Sequence, residues 1–271
     1  MSEPPLDCSR VFELEPHGPD TYVGESPPYA WGRIYGGLVV AQALWAATKT
    51  VRPEHGVHSL HAYFILGGNL DEPVRYEVDR VRNGRSFTTR RVIARQSAGA
   101  ILTLACSFQV KEEGPETQSA TFPKDVPPPE ALEEDRDGGV LVREAPISRD
   151  PPRSLMWARY PLPLPEDPRL HACALAYLSD VNPMHAITVS HPEIPPDRDD
   201  GSWDGTVMGA SLDHALWFHR PVRADDWVLL DLTGHGMRGS RGLATGPVFG
   251  ADGTHAATIA QEGLLRVRRR A

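Results

Sequence analysis

Three polar side chains interrupt otherwise apolar segments in the second half of the chain. Asp180 closes the run HACALAYLSDV, Ser211 opens SLDHALWFH, and Gln261 sits inside HAATIAQEGLLRV. A carboxylate in apolar surroundings is driven toward its neutral form, so its pKa rises and it can take a proton near neutral pH. A hydroxyl and a carboxamide can hold a water in line without being consumed. The three types together fit attack of an activated water on an electrophilic carbonyl, and a thioester carbonyl is electrophilic enough. Spacing alone leaves a second reading open, in which Asp180 caps a helix or pairs with an arginine, Ser211 is a strand-start hydroxyl and Gln261 satisfies a backbone group. Asp213, two residues from Ser211 and expected on the same strand face, is the competing base.

Other chemistries lack their signatures. GASLD, the string nearest to a nucleophile elbow, has Asp213 where glycine is required. There is no HExxH, P-loop or GxGxxG. Cys8, Cys106 and Cys173 have no CxxC spacing and the eleven histidines form no ligand set, so neither a metal nor a bound cofactor is expected. His214 and His219 are expected to be core or edge histidines with hydrogen-bond partners. The net charge of −8 argues against a nucleic-acid partner, and the longest apolar run, 38–47, is too short to span a bilayer. Sparse cysteines and a polar, Pro-rich opening suit a cytoplasmic protein.

Anion binding must then be local. RNGRSFTTRR places Arg85, Arg90 and Arg91 near a turn, where guanidinium groups can meet phosphates. The amides that follow Gly36-Gly37 can approach a carbonyl or phosphate oxygen. A solvated basic strand edge and a packing requirement for glycine are the respective alternatives.

Positioning these residues requires a scaffold, and the sequence describes it twice. LVVAQALWAATKTV is apolar nearly all round, with Gln42 the one polar residue before Thr48, so a helix there (near 37–50) must be buried on every side. Strands follow at 58–66, 74–81, 87–95 and 101–110, punctuated by Gly-Gly, Asn-Gly and Ala-Gly turns. A second helix with almost no polar face covers 171–181, and strands follow near 211–219, 227–233, 243–249 and 255–267. His61-Ala62 matches His214-Ala215, Gly99 matches Gly253 and Gln109 matches Gln261, at a nearly constant separation of roughly 150 residues that suggests duplication. A Pro- and acid-rich linker covers 111–139, between an N-terminal half at 1–110 and a C-terminal half at 140–271. The polar stretch 190–205 has no counterpart in the first half and reads as a mobile surface loop. Short turns favour antiparallel pairing, so each half is an antiparallel sheet wrapped around one buried helix, the two sheets joining edge to edge.

The segments RIYGGLVVAQALWAATKTV, VHSLHAYFILGG, RNGRSFTTRRV, SLDHALWFHRP and IAQEGLLRVRR together resemble the acyl-CoA thioesterase II family, TesB type. The likeness runs from about residue 10 to the C-terminus, outside the linker and 190–205. It implies an α+β double hotdog that hydrolyses acyl-CoA to fatty acid and CoA as a homo-oligomer. By that resemblance Asp180, Ser211 and Gln261 activate the attacking water. A non-catalytic acyl-CoA-binding protein and a hotdog hydratase are the rivals; the latter needs a histidine beside the aspartate, and His185 is the nearest.

Overall fold

The computed structural model describes residues 7–137, 139–194 and 207–267. The first half contributes β1 (Glu15–Pro16), β2 (Thr21–Gly24), α1 (Gly36–Thr48), β3 (His55–Phe64), β4 (Val74–Asn83), β5 (Phe87–Gln96) and β6 (Gly99–Val110). After a short 3-10 turn at Pro129–Ala131 come β7 (Asp135–Asp137), β8 (Val140–Glu144), β9 (Ser148–Arg149) and β10 (Pro152–Arg159). The rest is α2 (Pro168–Leu178), α3 (Pro183–Val189), β11 (Val207–Ser211), β12 (Asp213–Phe218), β13 (Val228–Arg238), β14 (Arg241–Gly250) and β15 (His255–Val267).

Both expected helices are present and buried. α1 buries Leu38, Val40, Ala43 and Leu44 completely, and each large aliphatic side chain so covered is worth about 1.5–3 kcal/mol. Gln42, its polar interruption, is also fully buried. It donates to the carbonyls of Val11 and Glu25 and accepts from the Tyr76 hydroxyl at 2.6 Å, so the amide is satisfied inside the core. α2 ends at Leu178, three residues before the expected end, and Pro183 starts a separate short helix, α3, that the sequence reading did not anticipate. Strands β8 and β10 were likewise missed.

The strands form one sheet in the order β1-β2-β4-β5-β6-β3-β12-β15-β14-β13-β10-β8-β7, with β11 also on β15 and β9 on β10. Every pairing is antiparallel. β3 and β12 make the seam between halves, Leu60 facing Leu216 and His61 facing Ala215. The sheet wraps a pair of helices lying side by side and antiparallel: Gly37 near the start of α1 meets Tyr177 near the end of α2.

Two of the three residue matches differ in environment, although the order of elements repeats and Gly99 and Gly253 both take positive φ where the chain enters β6 and β15. His61 is exposed while His214 is fully buried, and Gln109 is half-buried while Gln261 is fully buried. A strand places alternate side chains on opposite faces, so an identity one residue out of phase lands on the wrong side. The segment 111–128 has no regular structure yet is not free of the body. Phe122 packs on Trp157 and Phe249, and the Trp157 indole donates to the Pro127 carbonyl at 3.0 Å. The expected loop at 190–205 lies outside the described residues from 195 onward.

The helix pair approaches so closely that a methyl on Gly37 would sit 2.5 Å from the Tyr177 carbonyl oxygen. Gly37→Ala should therefore cost roughly 1–3 kcal/mol through overpacking and lower the unfolding midpoint in thermal or urea melts. A variant that melts with the parent protein would contradict this contact.

Candidate active site

Asp180 follows the last turn of α2 and points at the start of α1. A methyl on Gly36 would lie 2.5 Å from its Oδ2. Its Oδ1 has no hydrogen-bond partner among the described residues and no solvent contact. Desolvation dominates and pushes the carboxyl up to about 7; the Gln261 amide and the Gly37 backbone N–H pull the other way, and Asp137 adds to the upward push.

Gln261 comes from β15 and Ser211 from the end of β11, which pairs with β15 (Ser211 opposite Gly263). Gln261 Nε2 donates to Ser211 Oγ at 2.8 Å. The same carboxamide favours the charged form of Asp180, so one side chain acts on both hydroxyl and carboxylate. The structure thus brings together the three side chains singled out from the sequence, on two sheet strands and one helix end.

His214 completes this arrangement and was assigned only a generic structural place in advance. Its Nδ1 lies 2.5 Å from Gln261 Oε1 and its Nε2 2.8 Å from Ser179 Oγ. A carboxamide oxygen only accepts, so Nδ1 carries the proton and Nε2 is left to accept. Burial holds the ring neutral, its pKa lowered to about 4. His214 thereby fixes which end of the Gln261 amide faces Ser211 and Asp180. The sequence signal was present in SLDHALW, but it requires knowing that the strand is offset at Leu212.

That offset also removes the competing base. Pairing on β15 slips by one residue between Ser211–Gly263 and Ala215–Ala260, so Ser211 and His214 both turn toward Gln261. Asp213 turns away and accepts the Glu262 backbone N–H at 2.7 Å. The expectation that Ser211 and Asp213 share a face is corrected: an extra residue reverses the alternation.

Asp180 and Ser211 line a cavity of about 530 Å³. Its walls are mostly apolar, with Tyr35, Val39, Phe64, Ile101, Val181 and Met184 among them, and Arg33 and Asp137 are the other charged residues there. Gly36 lines it, and Gly37 borders Asp180. α1 begins without a side-chain cap and with no acid in its first turn, leaving its N-terminal positive end available to this cavity.

Arg85, Arg90 and Arg91 are elsewhere. Arg90 is buried beside Thr50, just past the C-terminal end of α1. It donates to Thr50 Oγ1 and Thr50 O, to the carbonyls of Arg82 and Thr89, and to Asn83 Oδ1. These bonds occupy its whole fork, so it cannot also take a phosphate. Arg91 pairs with Asp79 across the exposed face of the β4–β5 ladder. Arg85 belongs to the same exposed turn region. All three lie at the opposite end of a helix about 20 Å long from Asp180. Of the three arginines expected to meet phosphates, Arg90 is spent on the fold, while Arg85 and Arg91 stay exposed.

Among the described residues no group of three or more His, Cys, Asp or Glu is placed to hold a metal, and no helix is long and apolar enough to cross a membrane. The model of the acyl-CoA thioesterase N-terminal domain matches residues 26–109, and that of the C-terminal domain matches 110–265. The chain belongs to the acyl-CoA thioesterase family. It is 33% identical to acyl-coenzyme A thioesterase 8 of Homo sapiens, over 98% of this chain and 92% of that protein. It is 31% identical to acyl-CoA thioesterase 2 of Haemophilus influenzae, over 98% and 99%. The crystal structure of the acyl-CoA thioesterase II TesB2 from Mycobacterium marinum superposes with a TM-score of 0.81 at 35% identity, covering 97% of this chain and 98% of that one. These relatives establish the double hotdog of the thioesterase II family as the fold of this chain.

The placement of Arg90 has a direct consequence. Arg90→Ala should strand several buried acceptors and lower stability by roughly 2–5 kcal/mol. Equilibrium urea unfolding checks this, and a parent-like midpoint would mean that the arginine is not the buried strut described.

Proposed function

We propose that this thioesterase-family chain hydrolyses acyl-CoA thioesters to free fatty acid and CoA, with Asp180 as general base. The observation that carries the reading is a buried carboxyl at the wall of an apolar cavity, which desolvation pushes up to about 7, beside a Gln261 amide that holds Ser211. A carboxylate of ordinary acidity is too weak a base for water at neutral pH. Desolvation supplies the basicity here, and Gln261 keeps the charged form accessible.

On this reading the acyl chain lies along the apolar wall and the thioester carbonyl faces the start of α1. Ser211 Oγ accepts from Gln261, so its own proton is free to orient the water or polarise the carbonyl. The water gives a proton to Asp180 as its oxygen bonds to the acyl carbon. The tetrahedral intermediate then collapses, the C–S bond breaks, and the departing sulfur recovers the proton from Asp180. Positive potential at the uncapped end of α1 favours the developing oxyanion. No acyl-enzyme forms, because Ser211 positions and does not attack.

The same reading divides the chain into a half at 1–110, a connecting segment at 111–139 and a catalytic half at 140–271, within a homo-oligomer. Tyr63 and Trp217, both exposed on the strands of the β3–β12 seam, are apolar surface that such assembly would cover. Three buried, unpaired cysteines suit a reducing cytoplasm. A hydratase is disfavoured because His185 is not among the cavity-lining residues and His214 is neutral and spent on Gln261.

Asp180→Asn keeps shape and removes the base, and should lower kcat by roughly 10²–10⁴-fold with octanoyl-CoA. Ser211→Ala and Gln261→Ala should each lower kcat more than they change KM, the double variant losing less than the product of the singles. His214→Phe, which frees the Gln261 amide to flip, should lower kcat too. Only ionised Asp180 accepts the proton, so kcat/KM should rise with pH through a midpoint near 7. A Ser211 ester trapped in rapid-quench mass spectrometry, or parent-like turnover by Asp180→Asn, would contradict the mechanism.

A further inference from the structure

Among the described residues, one cation lines the cavity. Arg33 lines it, and the other charged residues there, Asp137 and Asp180, are acidic. Among the described residues Arg33 makes neither an ion pair nor a side-chain hydrogen bond, whereas Arg90 is fully engaged and Arg91 is paired. Its backbone is nevertheless held. The Ile34 N–H donates to the Gly68 carbonyl at 3.1 Å, and the Arg33 stem lies over Gly67, where a methyl would come within 3.2 Å of Cδ. The guanidinium is thus anchored at its base and, among the described residues, unoccupied at its tip.

A free, anchored guanidinium at this place suits a particular ligand chemistry. The chain carries a net charge of −8, so a polyanion approaches against the overall field and needs a local cation to offset it. A planar fork with five donors matches phosphate oxygens in pairs. Beside it Trp31 is 47% exposed and stacks on Tyr29, giving the uncharged part of a nucleotide-bearing substrate an aromatic face at the same rim.

We infer that Arg33 binds the diphosphate of the CoA moiety at the mouth of the catalytic cavity. The inference rests on the acyl-CoA reading above and names the residue that separates CoA esters from smaller thioesters. Arg33 is exposed and spends no side-chain bond on the described residues of the fold, so its replacement leaves that scaffold intact.

The test compares octanoyl-CoA, octanoyl-3′-dephospho-CoA and octanoyl-pantetheine as substrates of the parent enzyme, Arg33→Ala and Arg33→Lys. Arg33→Ala should reduce the ratio of kcat/KM for the CoA ester to that for the pantetheine ester by roughly ten-fold or more, through KM. The dephospho ester, which keeps the diphosphate, should lose the same factor. Arg33→Lys should recover part of it, since lysine restores charge without the fork. Calorimetric binding of free CoA should weaken by a similar factor. That readout needs no turnover, so it tests Arg33 even if hydrolysis itself fails. An unchanged ratio, an equal loss on the pantetheine ester, a loss confined to the ester bearing the 3′-phosphate, or undiminished CoA binding would each overturn the assignment.

Discussion

The close antiparallel contact between the start of α1 and the end of α2 sets the terms for the rest of the molecule. Gly36 and Gly37 let one helix end press onto Asp180 and the Tyr177 carbonyl, at distances that no side chain tolerates. Two opposed effects then act on one carboxyl. Removal from water raises its pKa, while the Gly37 amide and the Gln261 side chain favour its charge. Desolvation wins, but only far enough to leave the group half ionised near neutral pH. A looser contact would admit water and return Asp180 to ordinary acidity. A tighter one without those two donors would keep it protonated.

The sheet supplies the other partners. Because β3 and β12 pair across the seam, the strands of both halves form one surface around the helix pair, and β15 lies next to β12 under the end of α2. One slipped residue at Leu212 lets Ser211 and His214 converge on Gln261 from neighbouring turns of the same chain segment. The resulting line, Ser179 to His214 to Gln261 to Ser211, is buried for most of its length and passes through a neutral imidazole. Such a network is costly to leave half-satisfied, and here each link has a partner. It orients the amide, and through the amide the hydroxyl and the carboxylate.

Much of this was legible in the sequence, for physical reasons that differ from residue to residue. Apolar periodicity with no polar face locates α1 and α2, since a helix apolar all round has nowhere to go but the core. Asp180, Ser211 and Gln261 stand out because they break apolar runs. Phase was not legible: whether Asp213 shares a face with Ser211 depends on a bulge that composition does not mark. Arg90 misled because a cluster of arginines near a turn looks the same whether its guanidinium groups meet solvent, phosphate or, as here, buried carbonyls. β8, β10 and α3 escaped notice in stretches interrupted by proline and charge, where tertiary pairing outweighs local preference.

The proposed chemistry needs Asp180 to titrate near neutrality in the folded enzyme. The direct measurement is a pH titration of its side-chain carboxyl carbon by NMR in protein labelled with ¹³C-aspartate, the resonance assigned by its loss in Asp180→Asn. A midpoint near 7 is the predicted result. A midpoint near the ordinary aspartate value of about 4 would mean that the helix contact does not desolvate the carboxyl, and Asp180 would not be the base described.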